Sequence, residues 1–525
     1  MQGYLAIILH AHLPFVRDPN CEKCLEEHWL FEAITECYLP LVQVLRGWAR
    51  DGLDARVTLS VSPTLGIMLR DSLLSARFER YLTGLIELAK SEICRTQLEP
   101  ECRQLAWFYK NRLESLLGLY LEIGRDLIRE FRRLRDQGVL EIITTAVTHA
   151  VLPLWVQHRG SLRAQVMGAL DFYREWFGAL PSGFWLPECA FAPEIEPILA
   201  SANIKWTVVD THGLLHARPR PPHGVFAPVS TPAGVAVFGR DSDSARQVWS
   251  RQCGYPGDPR YRDFYRDIGY DLDFEYVRPY LPAPTVRGYT GIKYYAVTGK
   301  VSPKRFYVPD AALQAVDEHV SDFLRARLQQ LSAARHYMKC APILVMPFDA
   351  ELFGHWWFEG PIFLDHFVRK AMQYRDSLLI STPTAYLERT DVPCTMTLGL
   401  SSWGKGGYLE TWLNERTSWI YPPLYAAARK MGRLAAAYKV TNELGARIIT
   451  QAARELLIAQ SSDWAFMIST DTNQAYAIRK IVGHLRNHSA LCAQFESKSQ
   501  DPALLEQLER ESGIINPFNP QYFVN

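Results

Sequence analysis

The chain has 525 residues, too many for one ordinary domain and enough for two or three. Its formal charge is +1 and 48% of its residues are hydrophobic, so it reads as a globular protein with a large core and no electrostatic pull toward nucleic acid or an anionic membrane. Ten scattered cysteines make no disulfide framework and suit a reducing cytoplasm, the expected location; Tyr4 to Leu9 is too short for a secretion signal, and no apolar stretch approaches the ~20 residues of a membrane helix.

Short apolar runs recur, each followed directly by polar residues. Tyr4 to Leu9 leads to His10 and His12, which alternate onto one side of an extended strand and so enter one pocket. Neutral imidazoles there can donate to sugar hydroxyls or to a carboxylate. They can equally be satisfied structural histidines, or ligate a metal with Asp210 and His212 in a hydrolase of amides or esters. Cys21 and Cys24, with His28 and Cys37 nearby, are half a zinc site, but no second pair follows at the usual spacing and no metal is expected. Val57 to Val61 leads to Ser62-Pro63-Thr64. Residues 77–138 are then helical in pattern, as in Trp107-Phe108, Leu113, Leu116-Leu117 and Leu121, and form an inserted helical subdomain. The basic stretch Arg125 to Arg135 carries Leu127, Ile128, Phe131 and Leu134 at helical spacing and reads as a solvated helix face.

Leu140 to Thr144 leads to Thr148 and His149, Phe184 to Leu186 to Glu188, Trp206 to Val209 to Asp210 and His212, and Val235 to Phe238 to Arg240 and Asp241. Residues 212–300 are rich in Pro, Gly, Tyr and Arg with weak periodicity, the pattern of a lid or binding loop. Ile343 to Met346 leads to Asp349. Beyond Val392 the pattern is helical, most clearly over Tyr425 to Leu434, Asn442 to Leu457 and Asp471 to Leu491. Seven candidate strands alternating with helices imply a parallel sheet, and chemistry collected after the strands is the habit of a β/α barrel. An open doubly wound sheet shares that habit, but no Gly-rich phosphate loop follows any strand. The expected division is a barrel from residues 1–76 and 139–391, the insert 77–138, and a C-terminal helical domain 392–525 that contributes to the cleft.

The chemistry centres on Glu188, in Phe184-Trp185-Leu186-Pro187-Glu188-Cys189, and Asp349, in Met346-Pro347-Phe348-Asp349-Ala350-Glu351. Two carboxyls at strand ends walled by aromatics are what glycosidic bond cleavage needs: one protonated to assist the leaving oxygen, one ionised to attack or stabilise the anomeric carbon. Glu351 competes with Asp349, and spacing does not separate them. Trp403, Trp412 and Trp419 lie in or after the Gly-rich run Trp403-Gly404-Lys405-Gly406-Gly407-Tyr408 and can stack on pyranose rings or serve as core.

At these residues the chain resembles glycoside hydrolase family 57 and, within it, the 1,4-α-glucan branching enzymes. His10-Ala11-His12-Leu13-Pro14, Thr144 to Ala150, Trp185 to Ala190 and Met346 to Trp356 resemble four ordered family motifs; Trp403 with its glycines and Ser461-Ser462-Asp463-Trp464 resemble the branching subgroup. The resemblance implies a (β/α)7 barrel with an inserted helical subdomain and a C-terminal helical domain, a retaining mechanism and no cofactor. It implies Glu188 as nucleophile and Asp349 as proton donor, with His10, His12, Trp29, His149, Arg266, Trp403, Trp412 and Asp463 binding an α-1,4-glucan such as amylose, amylopectin or glycogen. Two departures stand out: no tyrosine occurs between Asp210 and Tyr255, where the subgroup has a lid tyrosine and this chain offers Phe226 and Ser230; and Ala283 stands where some members have Gly. The expected function is α-1,6 branch formation in glycogen biosynthesis. The alternatives are an amylase-like hydrolase, a metal-dependent polysaccharide deacetylase and a non-catalytic glucan-binding protein.

Overall fold

The computed structural model describes residues 3–524 apart from 251–253, 284, 300–302, 393, 439–442, 498–500, 514 and 516–517. The seven apolar runs become parallel strands: β1 (Gly3–Ala11), β2 (Val57–Val61), β3 (Leu140–Thr145), β4 (Gly183–Trp185), β5 (Trp206–Val209), β7 (Ala236–Gly239) and β8 (Ile343–Asp349). Two short additions are β6 (Val229–Ser230), antiparallel to β7, and β9 (Leu378–Ile380), parallel to β1. The sheet order is β6-β7-β5-β4-β3-β2-β1-β8. A parallel bridge between Arg240 and Val345, with the Asp241 amide donating to the Val345 carbonyl at 2.8 Å, joins the end of β7 to β8 and closes the seven-stranded ring. At its base the ring is splayed. β8 pairs with β1 from Tyr4 to His10, so β2, at Ile8 to Ala11, and β9, at Gly3 to Leu5, share the other edge.

Period-two alternation decides what fills the barrel. Tyr4, Ala6 and Ile8 of β1, Trp206 and Val208 of β5, Ala236 and Phe238 of β7, and Ile343 and Val345 of β8 point inward and form one apolar cluster with Ile143, Trp185 and Tyr386. Two residues further along the same faces come His10, Asp210 and Arg240, and four beyond Val345 comes Asp349. The barrel therefore has an apolar plug below and a polar layer at the C-terminal mouth.

The boundary between residues 76 and 77 falls inside a helix, Ser72–Arg95, which the Asp71 carboxylate caps by accepting from the Leu74 amide. That helix pairs with Pro100–Glu122. The described residues of 254–299 pack against the pair: Tyr276 and Tyr294 donate to Glu92, each at 2.7 Å, and Tyr109 donates to the Lys293 carbonyl at 2.7 Å. Helix Leu127–Asp136 lies on β3 with Leu127, Ile128, Phe131 and Leu134 buried, and its buried Glu130 pairs with Arg46 of the helix Leu39–Arg50 and with the exposed Arg133.

The C-terminal region is a bundle of Tyr421–Ala437, Glu443–Ala459, Ser462–Thr470, Gln474–Ser497 and Pro502–Ser512. Asn442, expected to start the second clear helix, lies outside the described residues. Among the described residues no helix is long and apolar enough to cross a membrane.

The expectation that Phe226 and Ser230 occupy a lid is not met. The Ile343 amide, at the start of β8, donates to the Phe226 carbonyl at 2.9 Å, and Ser230 pairs with Ala236 at the start of β7. The link between two parallel strands must bring the chain back to their N-terminal edge, so both residues lie at the end of the barrel opposite the mouth.

Phe238 is 1% exposed and meets Trp206 and Tyr386 edge-on in the plug. Phe238→Ala should cost about 3–5 kcal/mol, since the ring's contacts are lost and the closed barrel can collapse only partly. Urea unfolding of the two proteins measures it.

Candidate active site

The mouth is organised from β1 outward. Its register sets His10 level with Ser60 on β2 and with Asp349 on β8. His10 Nδ1 lies 3.1 Å from Ser60 Oγ, and its Nε2 lies 2.9 Å from His149 Nε2. His149 Nδ1 in turn reaches Ser462 Oγ at 2.9 Å and Glu188 Oε1 at 3.6 Å. One tautomer set satisfies the whole line: Ser60 donates to His10 Nδ1, His10 Nε2–H donates to His149 Nε2, and His149 Nδ1–H faces Ser462 and Glu188. Burial, and then the neighbouring imidazoles, hold His10 and His149 well below the ordinary histidine range, so both are neutral donors and acceptors. His10 also stacks on Trp185, with ring centroids 4.7 Å apart, and His149 on His12 at 4.0 Å.

Glu188 follows β4 in a tight turn with φ 63° and ψ 24°, a left-handed conformation that is strained for a side-chain-bearing residue. Hydrogen bonds hold it there. Thr145 Oγ1 donates to the Trp185 carbonyl at 2.7 Å, the Trp403 amide to the Glu188 carbonyl at 2.9 Å, and the Trp403 indole N–H to Glu188 Oε2 at 2.6 Å. The turn aims the carboxylate into the mouth, and the indole donor favours its ionised form. Arg240 lies over the Trp403 ring, 5.5 Å from its centroid, and 3.7 Å from Asp210.

Asp349 ends β8. Among the described residues no donor lies within hydrogen-bond distance of its carboxyl, which leaves it free for a substrate oxygen. Burial pushes it up to about 6, against the opposing pull of Arg240 and His12. Burial pushes Glu188 up to about 8, with Asp349 adding to the rise and Trp403 opposing it. Two interacting carboxyls with these values hold one proton between them near neutrality, and the values belong to the pair. Glu351, the competitor in the sequence, is tied down: Tyr38 donates to it, and the His12 amide does so at 3.2 Å.

The C-terminal bundle completes the site. The Ser462 amide donates to the His149 carbonyl at 3.3 Å and Thr148 Oγ1 to the Leu457 carbonyl at 2.5 Å. Asp463 accepts from His12 Nε2 at 3.1 Å and from Ser461 Oγ at 2.5 Å. Burial disfavours the Asp463 charge, but His12 and these hydrogen bonds outweigh it and pull the carboxyl down to about 2.

Of the residues singled out in the sequence, Glu188, Asp349, His10, His12, His149, Trp403 and Asp463 converge. Trp29 is half-buried and stands edge-on to Tyr476, which in turn meets Trp464, the neighbour of Asp463. Arg266 is turned away to Asp271, at 3.0 Å, and over the Tyr295 ring. Trp412 is 1% exposed and lies under Gly404, so its indole supports the Trp403 loop from within. His212 is occupied by the Gly407 carbonyl, 2.8 Å from Nε2, and Asp210 by Arg240, so neither joins His10 and His12 as a metal ligand; among the described residues no three His, Cys, Asp or Glu converge on a metal position. Sequence reading missed Glu36 and Tyr38, which reach the loop after β8 at His355 and Glu351. Their signal was there: carboxylates spaced i, i+4 inside the apolar run Leu30 to Tyr38 need buried partners.

Comparison with known proteins adds to this geometry. The model of glycosyl hydrolase family 57 matches residues 6–398, and that of the 1,4-α-glucan branching enzyme C-terminal region matches residues 423–523. A 1,4-α-glucan branching enzyme of Thermococcus kodakarensis is 30% identical over 99% of this chain and 78% of its own length. The crystal structure of the α-amylase AmyC from Thermotoga maritima superposes with a TM-score of 0.93 at 37% identity, covering 100% of this chain and 99% of that one. The structure of a branching enzyme from Pyrococcus horikoshii superposes at 0.90 with 29% identity, covering 100% and 97%.

Two outcomes are expected. The kcat/KM profile should be a bell with limbs near pH 6 and pH 8, because the pair is doubly protonated below and doubly ionised above; initial rates on a soluble glucan from pH 4 to 10 check it. Asp463→Asn should destabilise the protein by about 2 kcal/mol at pH 7. The folded Asp463 value lies below the unfolded one, so its stabilisation is present above the unfolded value near pH ~3.9 and is lost as pH falls through about 2. The gap between variant and wild type in denaturant unfolding should close over that range.

Proposed function

The chain belongs to glycosyl hydrolase family 57, and from that premise we propose that it is a 1,4-α-glucan branching enzyme that works by double displacement. The observation that carries the reading is the pair of buried carboxyls at the barrel mouth, Glu188 and Asp349, under a lid supplied by the branching-type C-terminal region. The Glu188 carboxylate attacks C1 of an α-1,4-linked glucose while Asp349 gives its proton to the departing O4. A covalent glucosyl–Glu188 forms and the acceptor-side chain leaves. The 6-hydroxyl of another glucan then attacks C1, gives its proton to Asp349 and releases Glu188, so two inversions leave the α configuration. This requires the two carboxyls about 5–5.5 Å apart.

The remaining residues have parts in this scheme. Neutral His10 and His149 pass hydrogen bonds across the mouth to Ser462 and Glu188 without adding positive charge beside the reacting carboxylate. Trp403 holds the carboxylate ready through its indole N–H and stabilises it again as it leaves C1 in the second displacement. Transfer rather than hydrolysis needs water kept out between the two steps, and the bundle that brings Ser462 and Asp463 onto the mouth is the element placed to do so. The same reading assigns the enzyme to cytoplasmic glycogen biosynthesis with an α-1,4-glucan as donor.

A hydrolytic reading is favoured by one observation, the 0.93 superposition on an α-amylase. Incubation with amylose, followed by debranching and a reducing-end count, separates the two. New α-1,6 linkages with little reducing sugar are expected; reducing sugar without new branches would establish hydrolysis. Asp349→Ala should lose roughly 10²–10⁴-fold of its rate on amylose, retain more on a glycosyl fluoride, and form glycosyl azide when azide is added. Dialysis against a strong chelator should leave activity unchanged, whereas loss restored by zinc would favour a metal-dependent deacetylase.

A further inference from the structure

Glu351 takes no part in the scheme above, yet it sits in a built environment. Its Oε1 accepts from both the Tyr38 hydroxyl and the His12 amide. Tyr38 closes a π-helical turn, Ile34–Tyr38, set between the helices Glu27–Ala33 and Leu39–Arg50. Such turns are rare and concentrate where a site needs the altered side-chain directions. Here three successive residues reach the loop after β8. Glu36 Oε2 meets His355 Nδ1 at 3.1 Å, Cys37 Sγ donates to the Ala350 carbonyl at 2.9 Å, and Tyr38 donates to Glu351. The backbones touch as well: Gly354 has φ 120°, and a Cβ there would stand 1.8 Å from the Glu36 carbonyl oxygen. Arg262, 2.9 Å from Glu36 Oε1, fixes the turn from the other side. The loop so clamped begins at Asp349.

We propose that Glu351 is a positioning residue for the acid–base: the clamp running from the π-helical turn through Glu351 to the His12 amide sets where Asp349 meets the leaving oxygen. The inference rests on the reading of Asp349 as proton donor. Glu351 itself donates nothing to the sugar; it acts through Asp349.

The electrostatics give the clamp a separate signature. Tyr38 and Cys37 face Glu351 from the turn, His12 from just after β1, and Asp349 from the end of β8. Asp349 is faced by His12, by Arg240 after β7 and by Glu188 after β4. Burial pushes Glu351 up to about 8, with Asp349 adding to the rise. At neutral pH Glu351 is then protonated. As it ionises on the alkaline side, its charge, coupled to Asp349, opposes loss of the last proton from the Glu188–Asp349 pair. Removing that charge should move the alkaline limb of kcat/KM to lower pH and leave the acid limb where it is.

The test compares wild type, Glu351→Gln and Tyr38→Phe on amylose and on α-maltosyl fluoride, whose leaving group departs without a proton. On amylose kcat should fall about 10-fold in Glu351→Gln and several-fold in Tyr38→Phe with KM little changed, as for a misplaced acid. The first turnover on the fluoride should stay near wild type in both, and the alkaline limb should move down by about half a unit or more in Glu351→Gln. Tyr38→Phe deletes one oxygen and serves as the second variant should the glutamine protein fold poorly. Equal losses on both substrates would reduce Glu351 to a structural part and overturn the proposal; so would wild-type rates and pH profile in both variants. Glycosyl azide formed by Glu351→Ala and not by Asp349→Ala would make Glu351 the acid–base itself and overturn it differently. A wild type inactive on both substrates removes the functional reading and this proposal with it, whereas active wild type, inactive Asp349→Ala and unaffected Glu351 variants overturn the proposal alone.

Discussion

Two carboxyls buried close together cannot both ionise cheaply, and the rest of this molecule is arranged around that constraint. Glu188 and Asp349 stand at one end of a barrel whose lumen is filled by Trp, Tyr, Phe, Ile and Val side chains. The apolar plug removes water from beneath them, and Trp185 and Trp403 wall their sides. Desolvation raises both, so near neutrality the pair carries one proton. Glycosidic chemistry uses that division: one group gives a proton and the other gives electrons.

Holding such a pair costs stability, and the surrounding contacts offset it. The positive φ at Glu188 persists because Trp403 bonds both its carbonyl and its carboxylate. The histidine line stays neutral, so it hands hydrogen bonds across the mouth without adding positive charge beside the Glu188 carboxylate. Asp463 keeps its own charge because His12 and Ser461 bond it. Barrel and bundle are thereby one polar unit at the mouth, with Thr148, His149 and His12 of the first meeting Leu457, Ser462 and Asp463 of the second.

The seven strands were legible because each is a short, buried run, and the polar layer at the mouth because polar residues follow those runs at the alternation that faces the lumen. Glu188 and Asp349 stood out as carboxylates placed directly after apolar strands. What sequence could not separate was Asp349 from Glu351. That choice depends on Tyr38 and the His12 amide, more than 300 positions away along the chain. The π-helical turn was equally hidden, since an extra residue in a helix leaves no composition signal. The lid expected around Phe226 and Ser230 failed for a topological reason: residues late in a crossover between parallel strands are at the base by the time the next strand begins. Trp412 shows the usual ambiguity of tryptophan, which reads alike in a sequence whether it stacks on sugar or, as here, packs beneath a glycine loop.

The central claim is that Glu188 forms a covalent bond to the donor glucose. Incubation with a slow fluoroglycosyl fluoride, followed by proteolysis and mass analysis of the labelled peptide, tests it most directly. The account requires the sugar to be esterified to Glu188 in the wild type and again in Asp349→Ala, and no label in Glu188→Gln. A label on any other carboxylate, or bond cleavage with inverted anomeric configuration and no label, would contradict it.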